Sequence, residues 1–274
     1  MTETLPVPPG VDPNVPNVAR MYDYGLGGTH NYQADRDAVD KVRAVMPEMA
    51  DTVAVNRGFH QRAARRIAQC GIRQFIDLGA GLPTYGNTHH IVQKIQPDAR
   101  VVYVDHDPVV LAYATELLAD NTNATLIQAD LRDPDAVLGN PELRSMIDFA
   151  QPVGLLMTGV LYFVSDASDP HALVRRYVET LAPGSYLAIS HVSADVVPPA
   201  MVATIQETYS RASEMMYFRP KAEIERFFDG LEIMPPYEGA GPGVTFIGLF
   251  DCEDPDEADD ESSHWLYAAV ARCP

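Results

Sequence analysis

The segment Gln74–Pro83 (QFIDLGAGLP) decides the fold, because it joins a short apolar run directly to a glycine-rich turn. Gln74–Leu78 has the composition of a buried β-strand, and Gly79 and Gly81 follow it at once. In open α/β sheets, ligands bind just beyond the carboxyl ends of such strands. We therefore expect this turn to border the functional site.

The chain after this segment alternates between short apolar runs and stretches of helical length, as at residues 87–95 and 108–118. The apolar runs predicted to be further strands are residues 101–104, 124–128, 153–157 and 186–190. This alternation predicts an α/β fold with a Rossmann-like, seven-stranded, mostly parallel sheet. Residues 244–250 and 265–271 have no helix between them, so we expect them to form a C-terminal antiparallel pair.

The ends of the chain and one internal stretch differ from this pattern. Residues 1–17 contain five prolines and are predicted to be an extended lead-in to a single domain at residues 18–274. Within it, residues 18–70 are predicted to be helical, including a helix after Asp51, and residues 192–240 to be an insertion that forms part of a substrate cavity.

The charge of the chain excludes some classes of partner. Lysine and arginine number 20 against 38 acids, a formal net charge of −18. Neither nucleic acid nor an anionic membrane surface suits so acidic a protein, so we predict neither as a partner. Eight of the acids lie in residues 251–261, which we interpret as a solvated loop.

The cysteines and histidines predict neither a disulfide framework nor a metal site. The three cysteines (Cys70, Cys252, Cys273) are widely spaced, and the chain has no apolar run of membrane-spanning length, so a cytoplasmic protein is expected. His89 and His90 are adjacent on a predicted helix and diverge by about 100°, too far for a shared ion.

Acidic side chains follow three successive predicted strands. Asp77 precedes the glycine turn, while Asp105 and Asp130 end the next two strands, and Thr158 and Gly159 follow the fourth. Because parallel strands end at the same edge of a sheet, these residues are predicted to surround one ligand.

The residues at this edge distinguish between two classes of ligand. A dinucleotide would need a third glycine at position 84, which is Thr84, and its pyrophosphate would be repelled by Asp77. A nicotinamide-dependent oxidoreductase is therefore the weaker alternative. S-adenosylmethionine has no phosphate and carries a sulfonium and an ammonium, which the carboxylates would attract.

That cofactor gives each strand end a role. Asp105 is predicted to accept hydrogen bonds from the ribose hydroxyls, with a charged acceptor contributing about 1.5–3 kcal/mol per bond. Asp130 is predicted to accept from the adenine amino group, and the Leu131 backbone N–H to bind a ring nitrogen. His106 is predicted to lie against the adenine face.

Four blocks of sequence carry a resemblance to known proteins: residues 19–28 (ARMYDYGLGG), 77–84 (DLGAGLPT), 102–110 (VYVDHDPVV) and 224–230 (IERFFDG). The core, residues 75–190, resembles class I S-adenosylmethionine-dependent methyltransferases. Nearly the whole chain is similar to an actinobacterial S-adenosyl methyltransferase-like family whose members are mostly of unknown function.

The resemblance implies that Asp77 and the turn border the methionine part of the cofactor, Asp105 the ribose and Asp130 the adenine. It also implies that the N-terminal block folds over the cofactor as a lid, which its mixture of aromatic residues and glycines suits. Arg20 is a candidate to bind the cofactor's carboxylate. The other cofactor-binding residues expected from these blocks are Tyr22, Tyr24, Asn31, Gly79, Gly81 and Leu82.

The sequence offers only two candidates for catalytic residues. His191 is a general base or a structural histidine, and Tyr162 is a wall of the methyl-donor site or part of the core. Methyl transfer does not require a base for every acceptor. We expect a methyltransferase that acts on a small molecule, and a non-catalytic module that binds the cofactor is the other alternative.

Overall fold

The strand that precedes the glycine turn lies inside a mixed sheet. The computed structural model describes residues 7–8, 10–82 and 86–274, with the side chains of 115–117 excepted. The strands in the described part are β1 (Gln74–Leu78), β2 (Arg100–Asp105), β3 (Ala124–Gln128), β4 (Gly154–Thr158), β5 (Tyr186–Val192), β6 (Glu232–Ile233), β7 (Thr245–Phe246) and β8 (Leu266–Arg272). Their order is β3-β2-β1-β4-β5-β8-β6, and β7 also pairs with β8.

The direction of the strands agrees with the prediction. β1 to β5 are parallel, while β8 runs antiparallel to β5, β6 and β7. β6 pairs with the last residues of β8 and β7 with its first residues, so these short strands share one edge. The predicted α/β fold, a mostly parallel sheet with antiparallel C-terminal strands, is confirmed. The predicted number of seven strands is corrected to eight in the described part of the chain, because the short strand β6 also pairs with β8.

Helices cover both faces of the sheet. They are α1 (Val18–Gly25), α2 (Gln33–Arg43), α3 (Met49–Gln69), α4 (Thr88–Val92), α5 (Pro108–Leu118), α6 (Pro134–Gly139), α7 (Pro141–Met146), α8 (Pro170–Val178), α9 (Pro199–Tyr209), α10 (Lys221–Glu225) and α11 (Pro255–Ala258). No helix of the described residues is both long and apolar enough to cross a membrane.

Alternate residues of the strands point to opposite faces, which builds two apolar layers. On one face, Phe75 of β1 belongs to the same core as Phe59 and Ile67 of α3. On the other, Ile76 packs in a core that includes Tyr177 of α8. The core therefore consists of a buried sheet between two layers of helices, and the carboxyl ends of β1–β4 are left for a site.

The strand predicted at residues 244–250 is wrong beyond its first residues. Only β7 is extended, and the chain then turns through a short 3₁₀-helix at Ile247–Leu249. The guanidinium of Arg62 accounts for this, because it donates to the carbonyl oxygens of Phe250 at 2.6 Å and Ile247 at 3.1 Å. Those carbonyls therefore bind a side chain of α3 instead of a neighbouring strand.

Gly154 allows β4 to pack against the core, which gives a test of this fold. A Cβ atom there would lie 2.7 Å from the ring of Phe75 and 3.0 Å from Ile67. Gly154→Ala should therefore lower the free energy of unfolding by about 1–3 kcal/mol, measured by urea denaturation. Gly139→Ala is the matched control, since its Cβ meets nothing within 4 Å and should cost no stability. Equal stability of the two variants would contradict this packing.

Candidate functional site

A cavity lies at the carboxyl ends of β1 to β4, between the sheet, α1, α3 and the segment 192–218. The structure brings together many of the residues that the sequence predicts for the site. Those that line the cavity are Tyr22, Asp77, Gly79, Gly81, Asp105, His106, Asp130, Leu131, Thr158, Gly159 and Tyr162.

The glycine turn after β1 needs both of its glycines. Gly79 has φ +70°, and a Cβ there would lie 2.3 Å from Val160, so no side chain fits. Gly81 has φ +64°, but a Cβ there would meet no atom of the described residues within 4 Å. Because Gly81 lines the cavity, this open space is available to a ligand that approaches the backbone closely.

Asp105 is held by the backbone of the two neighbouring turns. One carboxylate oxygen accepts the N–H of Gly81 at 2.9 Å and the other accepts the N–H of Asp107 at 2.9 Å. Burial raises the pKa of Asp105, and these hydrogen bonds oppose that rise. Each oxygen keeps a second lone pair for a ligand.

Asp77 begins a chain of hydrogen bonds that crosses from β1 to β4. Thr88 Oγ1 donates to Asp77 at 2.6 Å, His60 Nε2 lies 2.8 Å from Thr88 Oγ1, and His60 Nδ1 lies 2.7 Å from Thr158 Oγ1. Burial raises the pKa of Asp77 to about 6, although Thr88 and the charge of Arg57 oppose this. Burial, with the charge of Arg57, lowers the pKa of His60 to about 3, so this histidine is neutral.

Asp130 is part of a charged cluster on the other side of the cavity. Arg132 donates to Asp130 Oδ1 at 2.9 Å and to Oδ2 at 2.8 Å, and also binds Glu214 at 3.0 Å. Burial alone would raise the pKa of Asp130, but the hydrogen bonds from Arg132 lower it. Glu214 lies 3.2 Å from His106 and raises its pKa, so this cluster ties the segment 192–240 to the ends of β2 and β3.

Four residues expected at the cofactor are not among those that line the cavity. Arg20 is buried in an ion pair with Asp35 at 2.7 Å. Leu82 packs in a small core with Val109 and Val110, and the remaining two, Tyr24 and Asn31, bind other parts of the N-terminal block. Tyr24 Oη donates to Asp40, and Asn31 Nδ2 donates to Asp23 and to the carbonyl of Gly28.

The first residues of α1 and its N-cap do lie at the cavity. Asn17 donates to Asp107 after β2, and Tyr22 lines the cavity with its hydroxyl 2.9 Å from the amide of Asn56. Hydrogen bonds of the polar residues in this N-terminal region thus stabilise it and attach it to the sheet edge. Val18, Ala19 and Tyr22 of the same region line the cavity.

The two candidates for catalysis have different positions. His191 is fully buried outside the cavity lining, with Nδ1 2.9 Å from the carbonyl of Val192 and Nε2 2.7 Å from Arg219. Burial lowers its pKa to about 3. His191 is therefore a structural histidine, and its interpretation as a base is corrected. Tyr162 lines the cavity, and burial raises its pKa well above the ordinary value, so it stays a neutral hydroxyl.

Four polar residues that line the cavity were not predicted from the sequence: Asn56, Arg57 and His60 of α3 and Glu214 of the insertion. Asn56 and His60 are four residues apart, beside the apolar face of the helix. Polar residues at this spacing next to an apolar face are a signal that could have identified them. Glu214 had no such signal, since its partners His106 and Arg132 are distant in sequence.

The sequence profile of the S-adenosyl methyltransferase family matches residues 6–274. The chain belongs to this family. A protein from Thermobifida fusca YX whose crystal structure is assigned as a methyltransferase is 37% identical to this chain, with a TM-score of 0.89. The match covers 98% of this chain and 99% of that protein. A DUF574 family protein from Streptomyces avermitilis MA-4680 is also 37% identical, with a TM-score of 0.87, and 96% of this chain covers 99% of it.

A curated relative from Mycobacterium marinum is named for S-adenosyl-L-methionine-dependent methyltransferase activity. It is 31% identical over 182 residues, which are 65% of this chain and 54% of the relative. The matched region therefore spans about half of the length of that relative. The similarity to this family confirms the resemblance that the four sequence blocks predicted.

The cavity fits the cofactor of the family. Gly81 leaves the space that a Cβ would fill, and the buried carboxylates of Asp77 and Asp105 suit a ligand with two cationic groups and a ribose. Pro83 and Thr84, which bear on the dinucleotide alternative, lie outside the described residues. In the described part of the chain, no group of three or more His, Cys, Asp or Glu side chains is placed to hold a metal ion.

The ionisation of Asp77 should be visible in the stability of the ligand-free protein. Its pKa is about 6 in the fold against an ordinary 3.8, so the folded state binds this proton more tightly than the unfolded state. Burial of the ionised carboxylate therefore lowers the free energy of unfolding most above pH 6. This cost is absent well below pH 3.8, where the carboxyl group is protonated in both states. Relative to wild type, Asp77→Asn should gain on the order of 2–3 kcal/mol in unfolding free energy from pH 4 to pH 8. A difference independent of pH would contradict this assignment.

Proposed function

We propose that this protein transfers the methyl group of S-adenosylmethionine to a small-molecule acceptor and releases S-adenosylhomocysteine. The observation that carries the proposal is the set of carboxylates from three neighbouring strand ends, Asp77, Asp105 and Asp130, around one cavity. A cationic cofactor offsets the cost of burying the charges of Asp77 and Asp105, and an anionic dinucleotide would add to it.

Each part of the cavity suits one part of that cofactor. The backbone of the Gly79–Gly81 turn and Asp77 would hold the methionine part, and the free lone pairs of Asp105 would accept both ribose hydroxyls. Asp130, Leu131 and His106 would surround the adenine. The bound cofactor supplies a methyl group on a cationic sulfur, and alignment of the acceptor contributes about 7–11 kcal/mol to such a reaction.

Arg57 replaces Arg20 as the proposed partner of the cofactor's carboxylate. Arg57 lines the cavity, and its buried Nε has no hydrogen-bond partner among the described residues. Its Nη2 donates to Asn87 at 2.9 Å and to the carbonyl of Gly86 at 3.3 Å. A guanidinium held this way keeps donors for a carboxylate, whereas the guanidinium of Arg20 is already bound to Asp35.

The proposed ribose contact is tested by Asp105→Asn. Replacing a charged acceptor by a neutral amide should weaken S-adenosylhomocysteine binding by about tenfold or more in isothermal titration calorimetry. Asp133→Asn, at the N-cap of α6 outside the cavity lining, is the control and should bind like wild type. Unchanged affinity in Asp105→Asn would refute the ribose contact, and tight NAD binding without S-adenosylhomocysteine binding would favour an oxidoreductase.

Arg57→Gln tests the carboxylate contact. It should weaken S-adenosylhomocysteine by about tenfold or more but leave 5′-methylthioadenosine, which lacks the amino-acid part, unchanged. Arg65→Gln removes an exposed arginine of the same helix that pairs with Asp251, and should alter neither affinity. Equal losses for both ligands would contradict the assignment of Arg57 to the carboxylate.

A binding module without catalysis would share every cofactor contact proposed above. Methyl transfer from labelled S-adenosylmethionine to candidate acceptors separates it from an enzyme.

The free thiols of Cys70, Cys252 and Cys273 support a reducing, cytoplasmic setting.

A further inference from the structure

The cavity has an apolar part that the proposed cofactor contacts do not use. Val42, Met46 and Met49 line it from α2 and the start of α3, and Ile205, Met216 and Phe218 line it from the insertion. Helices α2 and α9 pack together here, and most of these residues belong to one apolar core.

The charged side chains of the described lining come mostly from the strand ends and the residues that follow them. Asp77, Asp105 and Asp130 lie at the strand ends, and Glu214 faces His106 and Arg132 beside them. The described lining residues from α2, α9 and residues 216–218 carry no charge. A charged acceptor placed there would lose its hydration without a partner.

One polar group of the same cavity lining, the Thr158 hydroxyl, has the direction of its hydrogen bond fixed by a series of buried groups. Asp77 accepts the Thr88 hydroxyl proton, so Thr88 Oγ1 can only accept from His60. His60 must then carry its proton on Nε2, which leaves Nδ1 to accept the Thr158 hydroxyl proton. This chain commits the only proton of Thr158 Oγ1 to His60.

Thr158 lines the cavity, and with its proton committed its oxygen can only accept a hydrogen bond from a ligand. A site that is built to accept a hydrogen bond rejects an analogue without the donor, because the free lone pair of that oxygen is then left without a partner. The apolar residues of the lining would contact the body of the ligand. The hydrogen bonds that run from Asp77 to Thr158 would select a ligand with a hydrogen-bond donor.

We infer that the methyl acceptor is an uncharged, largely apolar small molecule that donates an O–H or N–H hydrogen bond to Thr158 Oγ1. This inference rests on the proposed function and identifies the substrate class of the same cavity. Thr158 is then a specificity-determining residue, while His60 and Thr88 are positioning residues that act through it.

Matched pairs of probes test the inference with the cofactor part filled. The pairs are 2-naphthol with 2-methoxynaphthalene and 4-ethylphenol with 4-ethylanisole, titrated by calorimetry at saturating S-adenosylhomocysteine. At least one phenol should bind about fivefold or more tightly than its methyl ether, since one hydrogen bond is lost in the ether. The anion 2-naphthoate should bind more weakly than 2-naphthol.

Substitutions of Thr158 and Thr88 distinguish a specific hydrogen bond from shape complementarity alone. Thr158→Val should abolish the preference of phenol over ether, and Thr158→Ser should retain it. Thr88→Val, which lies outside the cavity lining, should also reduce the preference because it releases the direction of the chain. Thermal melts establish that each variant is folded.

The outcomes distinguish this inference from the proposed function. Absence of S-adenosylhomocysteine binding would overturn the proposed function itself. Binding of S-adenosylhomocysteine with no binding of either phenol, with equal affinity for phenols and ethers, or with an unchanged preference in Thr158→Val would overturn only the inferred substrate class.

Discussion

Burial of carboxylates at the carboxyl edge of the sheet is the constraint on which the site depends. Asp77 and Asp105 are 4% and 8% exposed, and an unpaired carboxylate removed from water costs several kcal/mol. Backbone N–H groups of two turns satisfy Asp105, and the Thr88 hydroxyl satisfies Asp77. The glycine turn, the start of α4 and the buried face of α3 therefore have to meet at this edge.

Helix α3 links this edge to the rest of the molecule. Its apolar residues pack on the sheet, Arg62 binds the carbonyls that end β7, and His60 completes the chain from Asp77 to Thr158. The same helix contributes Arg57 to the cavity. One element thus joins structural packing to the polar residues of the cavity, while α2, α9 and residues 216–218 contribute apolar ones.

Much of the fold could be predicted because its signals are local. The bounds of β1 and β3 agree with the apolar runs, and the fold class follows from the alternation of strands and helices. The error at residues 247–250 arose from Arg62, which is distant in sequence. Arg20 was a misleading candidate because, in the fold, its guanidinium forms a buried ion pair with Asp35 of α2.

The sequence by itself determined the mostly parallel sheet, the family and the carboxylates at its edge, since strand periodicity and strand-end residues are properties of short segments. Only the tertiary structure decided which polar groups share the cavity. His60, Thr88 and Thr158 come from separate elements, and their hydrogen bonds form only after these elements pack. The direction of those bonds depends on a single buried charge, which no local pattern of residues encodes.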